Sequence, residues 1–322
     1  PPIMGRATGN TGGLSLAISR IMRAALRAIT ALEPDVKRSY KMERRIEQLA
    51  VRLRGHPGDF QIWNRPVHLG DRVIPVRLFA PPGVVNARML LFFHGGGWVT
   101  GGIDNYTGLC VDLARATGQL VASVDYCLAP EYKFPTAPED CYHVAREFFM
   151  GGAPGVDPDG ITLIGDSAGG NLAAVVSLMA RDRGEFLPRR QILLYPSTYG
   201  DHSEASPFAS IRDNGTDFLL TSKRIEGFID LYIRSPEDLL DPYCSPLLAP
   251  DLRGQPRTLI VTAEYCPLRD EGEAYGERLR AAGNDVEVAR IMDALHSFMM
   301  LPPSFKSVRQ TLDIINTFLE RE

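Results

Sequence analysis

Ile161-Thr-Leu-Ile-Gly-Asp-Ser-Ala-Gly-Gly170 is the stretch from which the fold of this chain can be read. Ile161, Leu163 and Ile164 form a short apolar run of buried-strand type, and Leu172, Ala173, Val175, Val176, Leu178 and Met179 follow at helical spacing. Between them lies Gly165-Asp-Ser167-Ala-Gly169, a G-x-S-x-G sequence. That pattern alone is common; a strand before it and a helix after it make it specific. Gly165 and Gly169 have no Cβ, so strand and helix can approach closely across the turn. Such a turn lifts the Ser167 hydroxyl clear of the backbone and aims amide N–H groups at the helix mouth.

A second glycine motif lies upstream. Met89-Leu-Leu-Phe-Phe93 is an apolar strand running into His94-Gly95-Gly96-Gly97-Trp98. Three successive glycines after a buried strand let a loop present bare N–H groups to a developing oxyanion. The 73 residues from His94 to Ser167 leave room for two more strand–helix units. Loops of this type pair with the serine turn in esterases.

With both motifs in view, the chain resembles the hormone-sensitive-lipase-like family of α/β-hydrolase esterases. The matching residues are His94–Trp98, Val124-Asp-Tyr-Cys-Leu-Ala-Pro-Glu131, Phe134-Pro135, Gly165–Asn171, Asp241-Pro242 with Ser245-Pro246, Pro267-Leu-Arg-Asp-Glu-Gly272, and His296 followed by Ser-Phe. They span roughly residues 70–320. The resemblance implies an α/β fold: a mostly parallel central sheet, helices on both faces, and a helical cap. It implies hydrolysis of short- to medium-chain carboxylic esters through an acyl-serine, with no cofactor. Ser167 is then the nucleophile, His296 the general base, and the N–H groups of Gly96, Gly97 and Ala168 the oxyanion hole. His94 and Trp98 are expected to contact substrate.

The sequence departs from this family at the acid. The family pattern resembles Glu-Tyr-Asp-Pro-Leu-Arg-Asp-Glu-Gly, and here it reads Glu264-Tyr265-Cys266-Pro267-Leu268-Arg269-Asp270-Glu271-Gly272. Cys127 likewise stands where the family carries an Arg. A neutral thiol is a weak acceptor, whereas a thiolate beside a cation supplies charge. Four readings stay open. Cys266 accepts from His296; or another carboxylate, Asp201, Asp270, Glu271 or Asp293, takes over; or Ser167 and His296 work as a dyad; or the chain is an engineered or inactive homologue. A ligand-binding role on the same scaffold, or acyl transfer to an acceptor other than water, is the alternative function.

Composition narrows the rest. The chain has 322 residues, 44% hydrophobic and 23% charged, ordinary for one large globular α/β unit. A net charge of −4 without a basic block gives no support to nucleic-acid binding. No apolar run approaches the roughly 18 residues a membrane span needs. The six histidines show no metal-ligand spacing, and no metal is expected. The five cysteines are irregularly spaced, which favours reduced thiols and a cytoplasmic location, although a Cys127–Cys266 bridge is open to the sequence. The N-terminus is not signal-like, because Arg20, Arg23 and Arg27 interrupt its apolar stripe.

Residues 14–55 read as one or two amphipathic helices. Their basic residues suggest a membrane surface, but Glu33, Asp35, Glu43 and Glu47 weaken that reading. Strands are expected at Val73–Phe79, Met89–Phe93, Leu120–Val124, Ile192–Tyr195, Thr258–Thr262 and Val286–Ile291, alternating with helices. The stretch 197–245 is too long for a simple connection. Residues 1–55 and 197–245 are therefore assigned to the cap, and 56–196 and 246–322 to the catalytic domain. A homodimer is expected through the last strand, as an exposed edge invites pairing.

Overall fold

The computed structural model describes residues 20–31, 34–52, 58, 60–70, 72–83, 87–153 and 155–321. Two helices come first, α1 (Arg20–Ala31) and α2 (Val36–Arg52), then the short strands β1 (Gln61–Asn64), β2 (Val67–Leu69), β3 (Arg72–Ile74) and β4 (Val76–Ala80). The expected single strand Val73–Phe79 is thus two. Pro75 has no N–H to give a ladder. The chain breaks there, so that β3 pairs with β2 while β4 enters the main sheet.

Strand–helix alternation then sets in: β5 (Ala87–Phe93), α3 (Thr107–Thr117), β6 (Leu120–Val124), α4 (Thr136–Glu147), β7 (Val156–Asp166), α5 (Ala168–Arg183) and β8 (Arg190–Leu194). After the long connection, which carries α6 (Ala209–Asn214) and α7 (Ser222–Tyr232), come β9 (Arg257–Tyr265), α8 (Arg269–Ala281), β10 (Val286–Leu295) and α9 (Lys306–Glu320). The main sheet has eight strands in the order β1-β4-β6-β5-β7-β8-β9-β10. β1 and β4 are antiparallel to their neighbours, and β6 through β10 are parallel.

The parallel strands read as continuous apolar runs because both faces are covered. Met89 to Phe93 are fully buried, as are Leu163, Ile164 and Ile192 to Leu194. α3 and α9 touch one another on one face; α4 and α5 pack together on the other, with α8 beside β9 and β10. α5 is buried continuously from Ala168 to Ala180, which is why its sequence is apolar all round and not in a stripe. One polar chain threads this core. Ser177 donates to Gln191 at 2.8 Å, Gln191 to Thr258 at 2.9 Å, and Thr258 to the Pro256 carbonyl at 2.7 Å. With every member partnered, it ties α5, β8 and β9 into one register.

The two helices that precede the sheet pack with the stretch inserted between β8 and β9. Glu43 on α2 meets Arg224 on α7 at 2.6 Å, Lys37 meets Asp230 at 2.7 Å, and Arg27 on α1 pairs with Asp217 through two hydrogen bonds. Arg44 reaches across to the Val99 and Ala129 carbonyls and to Glu131. Among the described residues, no helix is long and apolar enough to cross a membrane.

Candidate active site

β7 ends at Asp166 and α5 starts at Ala168, so Ser167 alone makes the turn, with φ 56° and ψ −119°. A side chain with positive φ is strained, and the surroundings hold it there. The Ser167 N–H donates to the Leu194 carbonyl at 2.8 Å. A Cβ at Gly165 would overlap the Gly169 carbonyl, and one at Gly169 the Phe93 carbonyl. The two glycines are therefore a packing necessity: with any side chain, β5, β7 and α5 cannot meet.

β10 runs four residues further than the apolar pattern suggests, to Leu295, with a register shift between Ile291 and Leu295. Asp293, at φ 59°, lies in that irregularity. His296 follows immediately and turns toward the elbow. Its Nε2 lies 2.9 Å from Ser167 Oγ, and its Nδ1 lies 3.1 Å from Cys266 Sγ. Cys266 is fully buried just beyond β9.

The electrostatics of this row follow from burial. Desolvation pushes the Cys266 thiol well up, although the Leu268 and Arg269 N–H groups pull the other way, so the thiol is neutral. His296 is lowered to about 3, again by desolvation, with no anion to hold its proton. Among the described residues no carboxylate is hydrogen-bonded to it. Asp270 accepts from the Ser210 N–H at 2.8 Å and pairs with Arg269; Asp201 accepts from the Ser203 N–H; Asp293 is exposed. Glu271, fully buried, is committed to the N–H groups of Thr198 and Tyr199 and to His202 at 2.7 Å. All five cysteines are free, so the Cys127–Cys266 bridge does not form.

On the other side of Ser167 stands the glycine loop. Gly96 and Gly97 both have positive φ, at 110° and 59°. No hydrogen bond among the described residues takes up the N–H of Gly96, Gly97 or Ala168. The loop is pinned by Asp166, whose Oδ1 accepts from the Gly95 N–H at 2.7 Å and whose Oδ2 accepts from Tyr106 at 3.2 Å. Burial raises Asp166 to about 7. Asp166, inside the motif and fully buried beside Ser167, is thus a site residue beyond those the resemblance implies.

His94 does not contact the cavity, contrary to expectation. Its ring is buried, stacked on Tyr126 at 4.3 Å, with Nδ1 2.8 Å from the Gly95 carbonyl. An imidazole so placed braces the loop from behind. Trp98 does line the cavity, stacked on Tyr232 at 4.4 Å. The cavity holds about 220 Å3 and opens over Ser167, Ala168, Gly96, Gly97 and His296. Its far wall comes from the 197–245 stretch: Leu219, Leu220, Arg224, Ile225 and Phe228. Phe228 lies against the glycine loop, where a Cβ on Gly97 would strike its ring. These wall residues were not legible one by one, because Leu219 and Leu220 come from an irregular stretch and the others from α7, whose sequence shows only an apolar periodicity.

The second departure has a structural answer. Arg72 on β3 pairs with buried Asp140 at 2.9 Å and reaches Cys127 Sγ at 3.6 Å. A guanidinium thus meets Asp140 from a different strand, beside the cysteine where the family carries its arginine.

Comparison with known proteins agrees with this fold. The alpha/beta hydrolase fold family matches residues 90–300. An arylesterase of Saccharolobus solfataricus is 38% identical over 245 residues, 75% of this chain and 78% of that protein. An ethyl acetate hydrolase of Pseudomonas putida is 37% identical over 233 residues, 71% and 72% of the two chains. Among solved structures, a hyperthermophilic esterase from the archaeon Pyrobaculum calidifontis superimposes with a TM-score of 0.84. It is 34% identical, over 94% of this chain and 97% of that one.

Proposed function

The chain belongs to the hormone-sensitive-lipase-like esterases of the alpha/beta hydrolase fold and is a carboxylic ester hydrolase, and from that premise we propose that it works through an acyl-serine on Ser167 with a neutral cysteine at the acid position. The observation that carries this reading is the 2.9 Å contact between Ser167 Oγ and His296 Nε2, beside three amide N–H groups without hydrogen-bond partners among the described residues.

Ser167 Oγ attacks the ester carbonyl while His296 Nε2 takes its proton. The carbonyl oxygen becomes an oxyanion held by the N–H groups of Gly96, Gly97 and Ala168. His296 then returns the proton to the leaving alcohol, and water enters by the same steps in reverse. Only one tautomer of His296 serves as a base: Nδ1–H donating to Cys266 Sγ, with the Nε2 lone pair on the Ser167 hydroxyl. The competing tautomer has the thiol donating to Nδ1, which places a hydrogen on Nε2 and blocks the transfer. A carboxylate would forbid it; a neutral thiol permits both. Testing starts with a fluorophosphonate probe. A single adduct on Ser167 by mass spectrometry is expected, and labelling elsewhere, or none in protein that turns over p-nitrophenyl butyrate, overturns the assignment.

The same reading divides the chain into a cap, residues 1–55 and 197–245, and a catalytic body, 56–196 and 246–322. The packing of α2 against α7, and the cavity wall drawn from 219–228, support it. A roofed cavity limits the acyl chain, so esters of about two to eight carbons should be turned over faster than long-chain triglyceride. Phe228→Ala should move the optimum toward longer chains, read as kcat/KM across a p-nitrophenyl ester series; an unchanged optimum counts against Phe228 as the wall.

His296 also predicts a pH profile. The base works only when neutral, and burial lowers its pKa to about 3, so the acid limb of kcat/KM should lie well below 6.5. A carboxylate at position 266 stabilises the imidazolium and should move that limb upward. A limb at 6.5 or above in the unmodified protein contradicts this account. Assembly belongs to the same proposal. β10 ends the sheet with an open edge and an exposed Met292, and pairing two copies there gives a homodimer. Light scattering at tens of micromolar should return twice the 35.5 kDa chain mass; the single mass refutes it.

A further inference from the structure

α2 carries two faces that the sequence does not separate. Its acids turn inward: Glu43 accepts from Ser39 and Arg224, and Glu47 accepts from the Gly101 N–H at 3.1 Å. Met42, Ile46 and Leu49, four and three residues apart, form one row on the opposite side and are 64%, 57% and 58% exposed. Arg38, Lys41 and Arg45 are exposed along the flank of that row. Among the described residues, no carboxylate pairs with Arg38 or Arg45. A chain of net charge −4 thus shows a local positive, apolar ridge on its outer layer. The inner face of α2, not the ridge, reaches the cavity wall: α2 packs on α7, and its Glu43 holds Arg224, a wall residue.

We propose that the exposed face of α2 docks the protein on an anionic lipid–water interface. Charge complementarity selects this occupant: three bases beside three apolar side chains match headgroup phosphates above acyl chains. A protein partner fits less well, because a single helical row offers far less than the roughly 800 Å2 per side of a stable protein interface. Two of the acids that counted against a membrane surface in the sequence, Glu43 and Glu47, are half-buried and turned to Arg224 and the Gly101 N–H, away from the ridge. This surface is independent of the reaction proposed for Ser167, and its failure would leave that reading untouched.

The test is flotation of the full chain with phosphatidylcholine vesicles, with and without about one third phosphatidylglycerol, at low and high salt. Binding to the anionic vesicles is expected, weakened by salt and absent on pure phosphatidylcholine. I46Q with L49Q, and separately R38Q with R45Q, should each weaken binding about tenfold or more. Turnover of soluble p-nitrophenyl butyrate should stay unchanged, which shows that both variants fold. No binding to anionic vesicles overturns the proposal, as does binding that neither pair of substitutions reduces. Equal binding to pure phosphatidylcholine also overturns it, because the bases would then play no part.

Discussion

Cys266→Asp is expected to raise kcat for p-nitrophenyl butyrate by on the order of 10²-fold or more, with a ceiling near the 10⁴-fold cost of neutralising a triad aspartate in other serine hydrolases. The surroundings of residue 266 suit an anion. The Leu268 and Arg269 N–H groups bear on its side chain, at the start of α8, where the helix dipole favours negative charge. His296 Nδ1 is 3.1 Å from the present sulfur. A carboxylate there finds these donors ready, fixes the productive tautomer, and stabilises the imidazolium as it forms. Cys266→Ala should cost much less, under about tenfold, because a neutral thiol is only a weak acceptor. The outcome that sinks this account is no gain on Cys266→Asp together with severe loss on Asp201→Asn, Asp270→Asn or Asp293→Asn. That pattern would require a rearrangement placing a distant carboxylate on His296.

Ser167→Ala is the second large effect, and its size depends on the first. In subtilisin, losing the serine costs about 2 × 10⁶ in kcat and losing the aspartate alone about 3 × 10⁴. A site without the carboxylate therefore retains roughly 10²-fold of triad catalysis to lose. In the present protein Ser167→Ala should cut kcat on the order of 10²-fold; in a Cys266→Asp background the same change should cost about 10⁴-fold or more. The four rates form a double-mutant cycle with strong coupling, since the two groups act through one imidazole. Independent effects in that cycle would mean that residue 266 does not act through His296, whatever the absolute rates. An unchanged rate in well-folded Ser167→Ala would remove Ser167 from the chemistry altogether.

Much of the site was legible because its signals are local. A strand, a serine between glycines and a helix specify a turn within ten residues, and Gly165 and Gly169 must be glycine for reasons of contact alone. The same holds for the run of glycines after β5, where positive φ at Gly96 and Gly97 excludes most other residues. Strand–helix alternation then implies a parallel sheet, which brings the turn at Ser167 and the loop at His296 to one end of it. Where the sequence erred, a short-range device had been overlooked. Pro75 splits one apparent strand into two, and the irregularity at Asp293 lengthens β10. His94 was expected to contact substrate because of its motif, but burial and stacking on Tyr126 place its ring behind the loop.

From sequence alone, then, came the elbow, the glycine loop, the absence of an aspartate at position 266 and the alternation that builds the sheet. Each is set by neighbours a few residues apart. Only the tertiary structure decided what lies against His296. Its two partners are 30 and 129 residues away, and three aspartates nearer to it or comparably distant in sequence turn elsewhere. It alone decided which face of α2 hides its acids, because Glu43 and Glu47 are claimed by Arg224 and Gly101, remote in the chain. Spacing along a chain fixes which side chains share a face. Which face meets which neighbour depends on the order and direction in which the strands assemble.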